Sequence, residues 1–237
     1  MKGDDPIGKA IQDYKSGIKD GNILVSSDLA EDDVIPVSYL FRTEFPPLEK
    51  EAIKVAHGKV LDVGAGTGIH CKQLALQKNV TEVEAIDTSQ GAVQYMVENG
   101  IKARQQDFFN LNRGKYDTLL FMMNGIGLVG KLENLPVFFD KAKQLLNEDG
   151  KIICDSTNVD YFYTDDEGAM WIDLNAKYKG EFKFKMSYKN HSTDWFDWLY
   201  IDYELLKEKA KEFGWNCKKI YTDSNDHSFL VELKIKK

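Results

Sequence analysis

A carboxylate and three glycines occupy alternate positions in one short loop: Asp62, Gly64, Gly66 and Gly68. Because glycine has no Cβ, the backbone between a predicted strand at 59–63 and the following helix can turn sharply and lie flat against a ligand. The third glycine comes one residue earlier than in the G-x-G-x-x-G pattern of dinucleotide sites. A helix N-terminus attracts anions, whereas a carboxylate at the mouth of the loop repels a pyrophosphate and suits an ammonium or sulfonium group. The spacing therefore predicts a cationic nucleoside as the ligand.

This acid-x-G-x-G-x-G loop resembles the first motif of the class I S-adenosylmethionine-dependent methyltransferases, and the resemblance covers about residues 50–237. It implies that the cofactor is S-adenosylmethionine and that the loop holds it. The loop residues that it assigns to cofactor binding are Asp62, Gly64, Ala65, Gly66 and Gly68. The alternative is a tight strand-to-helix turn that binds no ligand.

A second predicted strand, at 80–86, ends in Asp87, 19 residues after Gly68. This spacing is close to the roughly 20 residues at which a carboxylate meets ribose hydroxyls in doubly wound sheets. We therefore predict that Asp87, with its neighbour Thr88, lies at the ribose of the cofactor. The alternative role for Asp87 is to cap the next helix, but Thr88 or Ser89 could cap it equally well.

Two further candidate positions lie at the ends of predicted strands, at the same edge of the sheet. By its place in the family pattern, Asp107 would accept a hydrogen bond from the adenine amino group, and Phe108 would present its backbone N–H to the ring. The alternative is a turn acid followed by core phenylalanines. Asn124 follows an apolar strand and could bind the cofactor's amino group, the substrate or only its own turn.

The elements that carry these residues alternate between strands and helices, as in an α/β protein with a doubly wound sheet. The predicted strands cover residues 59–63, 80–86, 103–109, 116–123, 151–155, 215–221 and 229–235. The family resemblance implies a seven-stranded, mainly parallel sheet in the order 3-2-1-4-5-7-6, with the last strand antiparallel. We predict that residues 49–237 form the methyltransferase domain.

Residues 1–48 lie outside this pattern, and we predict that they form an N-terminal cap segment. In several related methyltransferases such a segment folds over the cofactor. Arg42 could clamp the carboxylate of the cofactor's methionine portion, because a guanidinium offers a bidentate fork. The alternative is an exposed arginine paired with Glu44.

A second region outside the pattern is predicted to form an inserted β-hairpin at about 178–200. Aromatic and polar residues alternate along its first strand, so its two faces differ. We interpret the hairpin as a lid that faces the substrate, with Tyr188, His191 and Trp195 as substrate-binding residues. The alternative is that these aromatic residues only pack the hairpin onto the sheet or onto another subunit.

The composition limits the class of partner. The 237 residues carry a net charge of −7, which opposes nucleic-acid binding because such affinity depends on Lys and Arg that neutralise phosphates. The sequence shows no signal peptide and no apolar stretch that could span a bilayer, so we expect a soluble cytoplasmic protein with no membrane partner. Three widely spaced cysteines and four histidines match neither a disulfide framework nor a metal site. The oligomeric state stays open.

Methyl transfer from a sulfonium is an in-line displacement with an already activated cofactor. The protein mainly has to hold a nucleophile about 3–3.5 Å from the methyl carbon and exclude water. Such an enzyme needs no obligatory catalytic residue, and the sequence assigns none. We therefore predict a methyltransferase that acts on a small molecule. The alternatives are a nicotinamide-dependent oxidoreductase, which Asp62 and the early third glycine oppose, and a cofactor-binding protein without turnover.

Overall fold

The computed structural model describes residues 4–163, 178–225 and 227–237. Its strands are β1 (Asn22–Ser27), β2 (Asp33–Pro36), β3 (Gly58–Val63), β4 (Val80–Asp87), β5 (Ala103–Gln105), β6 (Tyr116–Phe121), β7 (Leu146–Thr157), β8 (Glu181–Tyr188), β9 (His191–Ser192), β10 (Phe196–Leu199), β11 (Trp215–Thr222) and β12 (Ser228–Ile235). Its α-helices are α1 (Pro6–Lys15), α2 (Pro47–Val55), α3 (Ile69–Leu74), α4 (Gln90–Glu98), α5 (Leu135–Leu145) and α6 (Tyr203–Glu212). Short 3-10 turns cover Val37–Phe41, Gly125–Val129, Leu132–Asn134 and Asp160–Tyr163.

Seven of the described strands form the main sheet, in the order β5-β4-β3-β6-β7-β12-β11. The strands from β5 to β7 pair in parallel, and β12 runs antiparallel to both β7 and β11. Counted from β3 as the first strand of the pattern, this is the order 3-2-1-4-5-7-6 with the seventh strand antiparallel. The predicted fold class is confirmed.

Strand β6 shows why both faces of this sheet are covered. Phe121 packs against Phe138 of α5, with ring centroids 5.4 Å apart, and Leu119 belongs to the same cluster. Leu120 points to the opposite face and joins the cluster that contains Leu74 of α3. Burying a side chain of this size stabilises the fold by about 1.5–3 kcal/mol. The apolar run of β6 therefore marks a central strand between two helical layers.

A second sheet stands beside the first, in the order β10-β8-β1-β2, with β9 paired to β8. The predicted hairpin is present within it: β8 and β10 pair antiparallel, with Phe184 opposite Phe196. The sequence analysis treated this hairpin and the N-terminal segment as separate units. In the structure β1 pairs with β8, and Leu24 lies opposite Ser187. The N-terminal strands therefore extend the hairpin into a sheet.

The N-terminal segment is anchored at the edge of the main sheet where β3 and β4 end. Asp5 accepts hydrogen bonds from the backbone N–H of Gly8 and Gly91 and from the hydroxyl of Ser89, at 2.8, 2.9 and 3.0 Å. This one carboxylate joins the N-termini of α1 and α4, where a negative charge is favourable. The hydroxyl of Thr67, in the glycine loop, donates to the carbonyl of Leu40. The N-terminal segment thus contacts the loop that follows β3.

Among the described residues, no helix is long and apolar enough to cross a membrane.

Candidate active site

The glycine loop has the geometry of an open cradle. Gly64, Gly66 and Gly68 all adopt positive φ, at 73°, 57° and 73°, a region that other residues rarely enter. A Cβ added at Gly64 or Gly66 would meet no atom within 4 Å, so the space above both residues is open. A Cβ added at Gly68 would collide with Ile101. Gly64 and Gly66 therefore leave room for a ligand, whereas Gly68 permits the loop to pack on its neighbours.

Asp87 ties this loop to the end of β4. Its carboxylate accepts hydrogen bonds from the backbone N–H of Gly66 and of Ser89, both at 2.8 Å. The helix cap of α4 is Ser89, whose hydroxyl accepts from the N–H of Ala92. Asp87 is therefore not needed as a cap. Burial raises the pKa of Asp87, against the two hydrogen bonds that lower it. Thr88, the other residue predicted at the ribose, stands between Asp87 and this cap.

Asp62 occupies a different place from the one expected. The sequence analysis put its carboxylate at the mouth of the loop, but the residue is only 1% exposed and lies beneath the loop. The thiol of Cys71 donates to it at 3.2 Å. Burial raises the pKa of Asp62. Because residues of a strand alternate between its faces, Asp62 points into the layer that α3 covers.

Asp107 and Phe108 lie just beyond β5, which ends at Gln105 and is shorter than the predicted strand at 103–109, and each already has protein contacts. One oxygen of Asp107 accepts from the backbone N–H of Phe109 at 2.8 Å and of Asn110 at 3.2 Å. Phe108 is buried and packs against Phe121, with ring centroids 5.1 Å apart. The second oxygen of Asp107 bonds no described residue. An adenine contact at Asp107 and Phe108 stays a prediction.

Arg42 is paired within the protein. Its Nη2 donates to both carboxylate oxygens of Glu49 at 2.5 and 2.7 Å, and its Nη1 donates to the carbonyl of Tyr39 at 2.8 Å. Glu49 also contacts Nε2 of His70 at 2.8 Å. The partner of the guanidinium is thus Glu49 and not Glu44, because α2 places Glu49 beside the 3-10 turn at 37–41. The Nη1 and Nη2 groups of Arg42, which were predicted to bind the carboxylate of the cofactor, thus already donate to Tyr39 and Glu49.

Asn124 and Asp155 meet where β6 and β7 end. Asn124 has a φ of 55°, and its backbone N–H donates to both oxygens of Asp155 at 3.0 Å. The hydroxyl of Thr157 donates to the side-chain oxygen of Asn124 at 2.8 Å. Burial raises the pKa of Asp155 to about 6. The sequence analysis missed Asp155, although an acid near the end of an apolar strand was the signal that found Asp87.

A cavity of about 840 Å³ opens between the carboxyl edge of the main sheet and the second sheet. Asn124 and Asp155 form part of its floor. The second sheet contributes a wall of large apolar side chains. These are Phe182, Phe184, Met186, Phe196, Trp198 and Tyr200.

The three residues predicted to bind substrate lie outside this cavity. Tyr188 is on the same face of β8 as the wall but further along, where it is buried and donates to Asp13 at 3.3 Å. His191 contacts Asp4 at 3.2 Å, and Trp195 is 51% exposed. The alternation along β8 indicated the correct face, but the turn and its flanks are directed away from the sheet edge.

A family model described as a methyltransferase domain matches residues 54–211. A solved structure of an S-adenosylmethionine-dependent methyltransferase from Bacteroides fragilis, in complex with S-adenosyl-L-homocysteine, shares 39% sequence identity. The match covers 99% of this chain and 96% of that one, with a TM-score of 0.91. The chain belongs to the S-adenosylmethionine-dependent methyltransferases. Its cofactor is S-adenosylmethionine, as predicted, and the open space over Gly64 and Gly66 fits a nucleoside.

More distant structures share the fold of this methyltransferase. The CcbJ methyltransferase from Streptomyces caelestis is 16% identical over 81% of this chain and 91% of that one, with a TM-score of 0.56. CalS10, an amino pentose methyltransferase from Micromonospora echinaspora, is 12% identical over 82% and 95%, with a TM-score of 0.55. At these identities the likeness shows the fold alone. A search of curated proteins found no match.

Proposed function

We propose that this methyltransferase acts on a small molecule that binds in the cavity between the two sheets. The observation that carries the proposal is the cavity itself. Its volume of about 840 Å³ lies within the roughly 300–1,000 Å³ of typical small-molecule sites. Its wall is aromatic and apolar, and its floor at Asn124 and Asp155 offers a few polar groups, which is the usual mixture in such sites.

The position of the cavity supports the same proposal. Ligands of open α/β sheets bind outside the carboxyl ends of the strands, near the point where the strand order reverses. In this sheet the order reverses between β3 and β6. Gly64 directly follows β3, and Asn124 lies three residues beyond the end of β6. The cofactor cradle and the floor of the cavity therefore follow adjacent strands.

The residues of the chain have separate tasks in this proposal. When bound, S-adenosylmethionine supplies a methyl group on a positively charged sulfur, which is already activated for transfer. Gly64 and Gly66 leave room for its nucleoside, and Asp87 offers carboxylate oxygens to its ribose. The second sheet covers the cavity and excludes water, while the floor and wall hold the acceptor for in-line attack.

The experiment uses S-adenosylmethionine labelled with tritium in its methyl group and a cell extract divided by ultrafiltration. We expect label to pass into a low-mass product that chromatography separates from S-adenosylmethionine, and not into acid-precipitable protein or nucleic acid. The control is Gly66→Val, because valine at a φ of 57° is strained and fills the cradle. Label in the macromolecular fraction would overturn the proposal. Binding of the cofactor without any transfer would indicate a protein without turnover.

A further inference from the structure

The cavity has an unusual charge distribution. Six carboxylates line it, whereas no lysine, arginine or histidine among the described residues does so. The carboxylates are those of Glu31, Asp32, Asp33, Glu49, Asp155 and Asp223. A cavity lined by one sign of charge raises the local concentration of ligands with the opposite sign.

Within the part of the chain that the structure describes, one of these six carboxylates has a cation beside it. Glu49 is paired with Arg42, and the other five form no ion pair with a described residue. Asp155 is the most buried of the five, and its hydrogen bonds come from backbone N–H groups such as that of Asn124. A charge that is removed from water without a counter-charge is costly. A cationic ligand would remove that cost.

The apolar wall points independently to the same kind of ligand. The ring centroids of Phe184 and Phe196 are 6.5 Å apart, and those of Phe196 and Trp198 are 6.0 Å apart, so these rings form one continuous surface. The faces of aromatic rings attract cations as well as apolar groups, and tryptophan does so most strongly. Carboxylates and aromatic rings that line one cavity together select an organic cation.

We propose that the methyl acceptor is a small organic amine that enters the cavity as a cation. Its apolar body lies against the aromatic wall, and its ammonium group points toward Asp155. This proposal rests on the proposed function, because it names the chemical class of the small-molecule acceptor.

Asp155 is placed to receive the proton that the amine must lose. The carboxylate takes one proton from the ammonium group, which frees the nitrogen lone pair. That pair forms the new bond to the methyl carbon, while the carbon–sulfur bond breaks and its electrons stay on sulfur. The products are the N-methylated ammonium ion and S-adenosylhomocysteine, and Asp155 releases its proton to solvent. Since burial raises its pKa to about 6, Asp155 is a stronger base than an exposed carboxylate.

The sheet register places this base level with the cofactor loop. Phe121 of β6 lies opposite both Val63 of β3 and Cys154 of β7, so Gly64 and Asp155 each stand one residue beyond the same row. Two strand spacings separate them, which is about 10 Å along the sheet edge. An amine bound between them can contact both the base and the cofactor.

The test compares probes that differ only in head-group charge. Tryptamine, tryptophol and indole-3-acetate form one set, and 2-phenylethylamine, 2-phenylethanol and phenylacetate form the other. Calorimetry with saturating S-adenosylhomocysteine measures the Kd of each probe. We expect each amine to bind about tenfold more tightly than its alcohol, and each carboxylate to bind most weakly. Equal Kd values within each set, tighter binding of the carboxylates, or no detectable heat with either amine would overturn the proposal.

Two variants then test which carboxylates cause the tighter binding of the amines. We expect Asp155→Asn to lose most of the tenfold preference for the amines while alcohol binding is unchanged. The double variant Glu31→Gln and Asp33→Asn, at exposed positions in the turn after β1 and at the first residue of β2, should weaken binding of the amines by a smaller factor. The control is Glu208→Gln on the exposed face of α6, which removes the same charge far from the cavity. Binding of S-adenosylhomocysteine verifies that each variant is folded.

The two proposals fail in different ways. Label in macromolecules would contradict a small-molecule acceptor of any charge. Label in a low-mass product, together with probes that show no preference for the cation, would contradict only the proposal that the acceptor is an amine. An amine preference that survives in Asp155→Asn would remove Asp155 from the proposal and overturn its role as the base.

Discussion

Two carboxylates of the main sheet are equally buried and have opposite surroundings. Glu84 on β4 is 6% exposed, and Asp155 on β7 is 8% exposed. Burial alone raises the pKa of both groups, but hydrogen bonds from Lys102, Lys59 and Tyr116 lower the pKa of Glu84 to about 2. Among the described residues, the hydrogen-bond donors to Asp155 are backbone N–H groups, and its pKa rises to about 6. The charge of Glu84 inside the sheet is thus neutralised by side chains of the protein, whereas the described residues give Asp155, at the cavity, no counter-charge.

The difference follows from the position of each acid along its strand. Glu84 stands in the middle of β4, where Lys59 of β3 reaches it at 2.7 Å. Asp155 stands near the end of β7, where the polypeptide leaves the sheet and the cavity begins. A site that binds a ligand is expected to sacrifice stability, because its groups are arranged for the complex and not for the free protein.

The largest expected effect tests the cradle at the ligand edge. Gly66→Val should weaken the binding of S-adenosylmethionine by at least about 100-fold, or about 3 kcal/mol, because the valine side chain fills the open space above the loop. Gly100→Val is the matched control, since Gly100 also has a positive φ and open space but lies in the turn after α4. Calorimetry should show the loss in the first variant only. If both variants bind equally well, the ligand does not use this loop.

The second prediction concerns the paired carboxylate. Glu84→Gln should lower the free energy of unfolding by about 2–3 kcal/mol at neutral pH, somewhat less than a fully buried pair because Lys102 is exposed. The lowered pKa means that this contribution is present above about pH 4.5 and is lost as the pH falls toward 2. Urea denaturation measures it.

The control for Glu84 is its neighbour on the same face of β4. Glu82 contacts the same two lysines, Lys59 and Lys102, but its side chain is 40% exposed, against 8% for that of Glu84. Glu82→Gln should therefore change the free energy of unfolding by only about 0.5 kcal/mol. Equal losses in the two variants would show that burial does not decide the strength of these pairs. That result would contradict the contrast between Glu84 and Asp155.

The third prediction has the opposite sign. Asp155→Asn should stabilise the protein by about 2 kcal/mol at pH 8, because the folded state holds an uncompensated charge there. The folded pKa of about 6 lies above the usual 3.8, so wild-type stability falls as the pH rises between these values. The gain should vanish below about pH 4, where both proteins are neutral at this position. A variant that is less stable than wild type at pH 8 would contradict the comparison.

The smallest expected effect separates two tryptophans of the second sheet. Trp198→Ala removes part of the cavity wall and should raise the Kd of tryptamine by about tenfold. Trp195→Ala, at a position outside the cavity, should change this Kd by less than about twofold. The reverse result would restore the sequence-based set of Tyr188, His191 and Trp195 as the substrate site.

Local patterns predicted the fold class and the geometry of the glycine loop well. The spacing of Gly64, Gly66 and Gly68 determines a loop with positive φ at three alternate residues, and such a turn depends on nearest neighbours alone. The apolar run of β6 and the acid at the end of β4 likewise report burial and position within one element. The strand order came from the family resemblance, and the structure confirms it.

Side-chain partners were predicted less well. The sequence predicted that Arg42 contacts either the cofactor or Glu44. In the structure its partner is Glu49, which lies in the next helix, α2. Asp62 was expected at the ligand and lies beneath the loop. In both cases the residue type indicated a charged contact, while the direction of the side chain depended on how two elements pack.

The sequence by itself determined the glycine turn after β3 and the class of sheet around it, because these depend on residues close together in the chain. Only the tertiary structure decided where the cavity lies. The cavity exists because β1 pairs with β8, which brings Leu24 beside Ser187. No local pattern reports a contact between such distant segments, since its energy appears only when both strands share one sheet. The same contact turned the aromatic face of β8 toward Asp155.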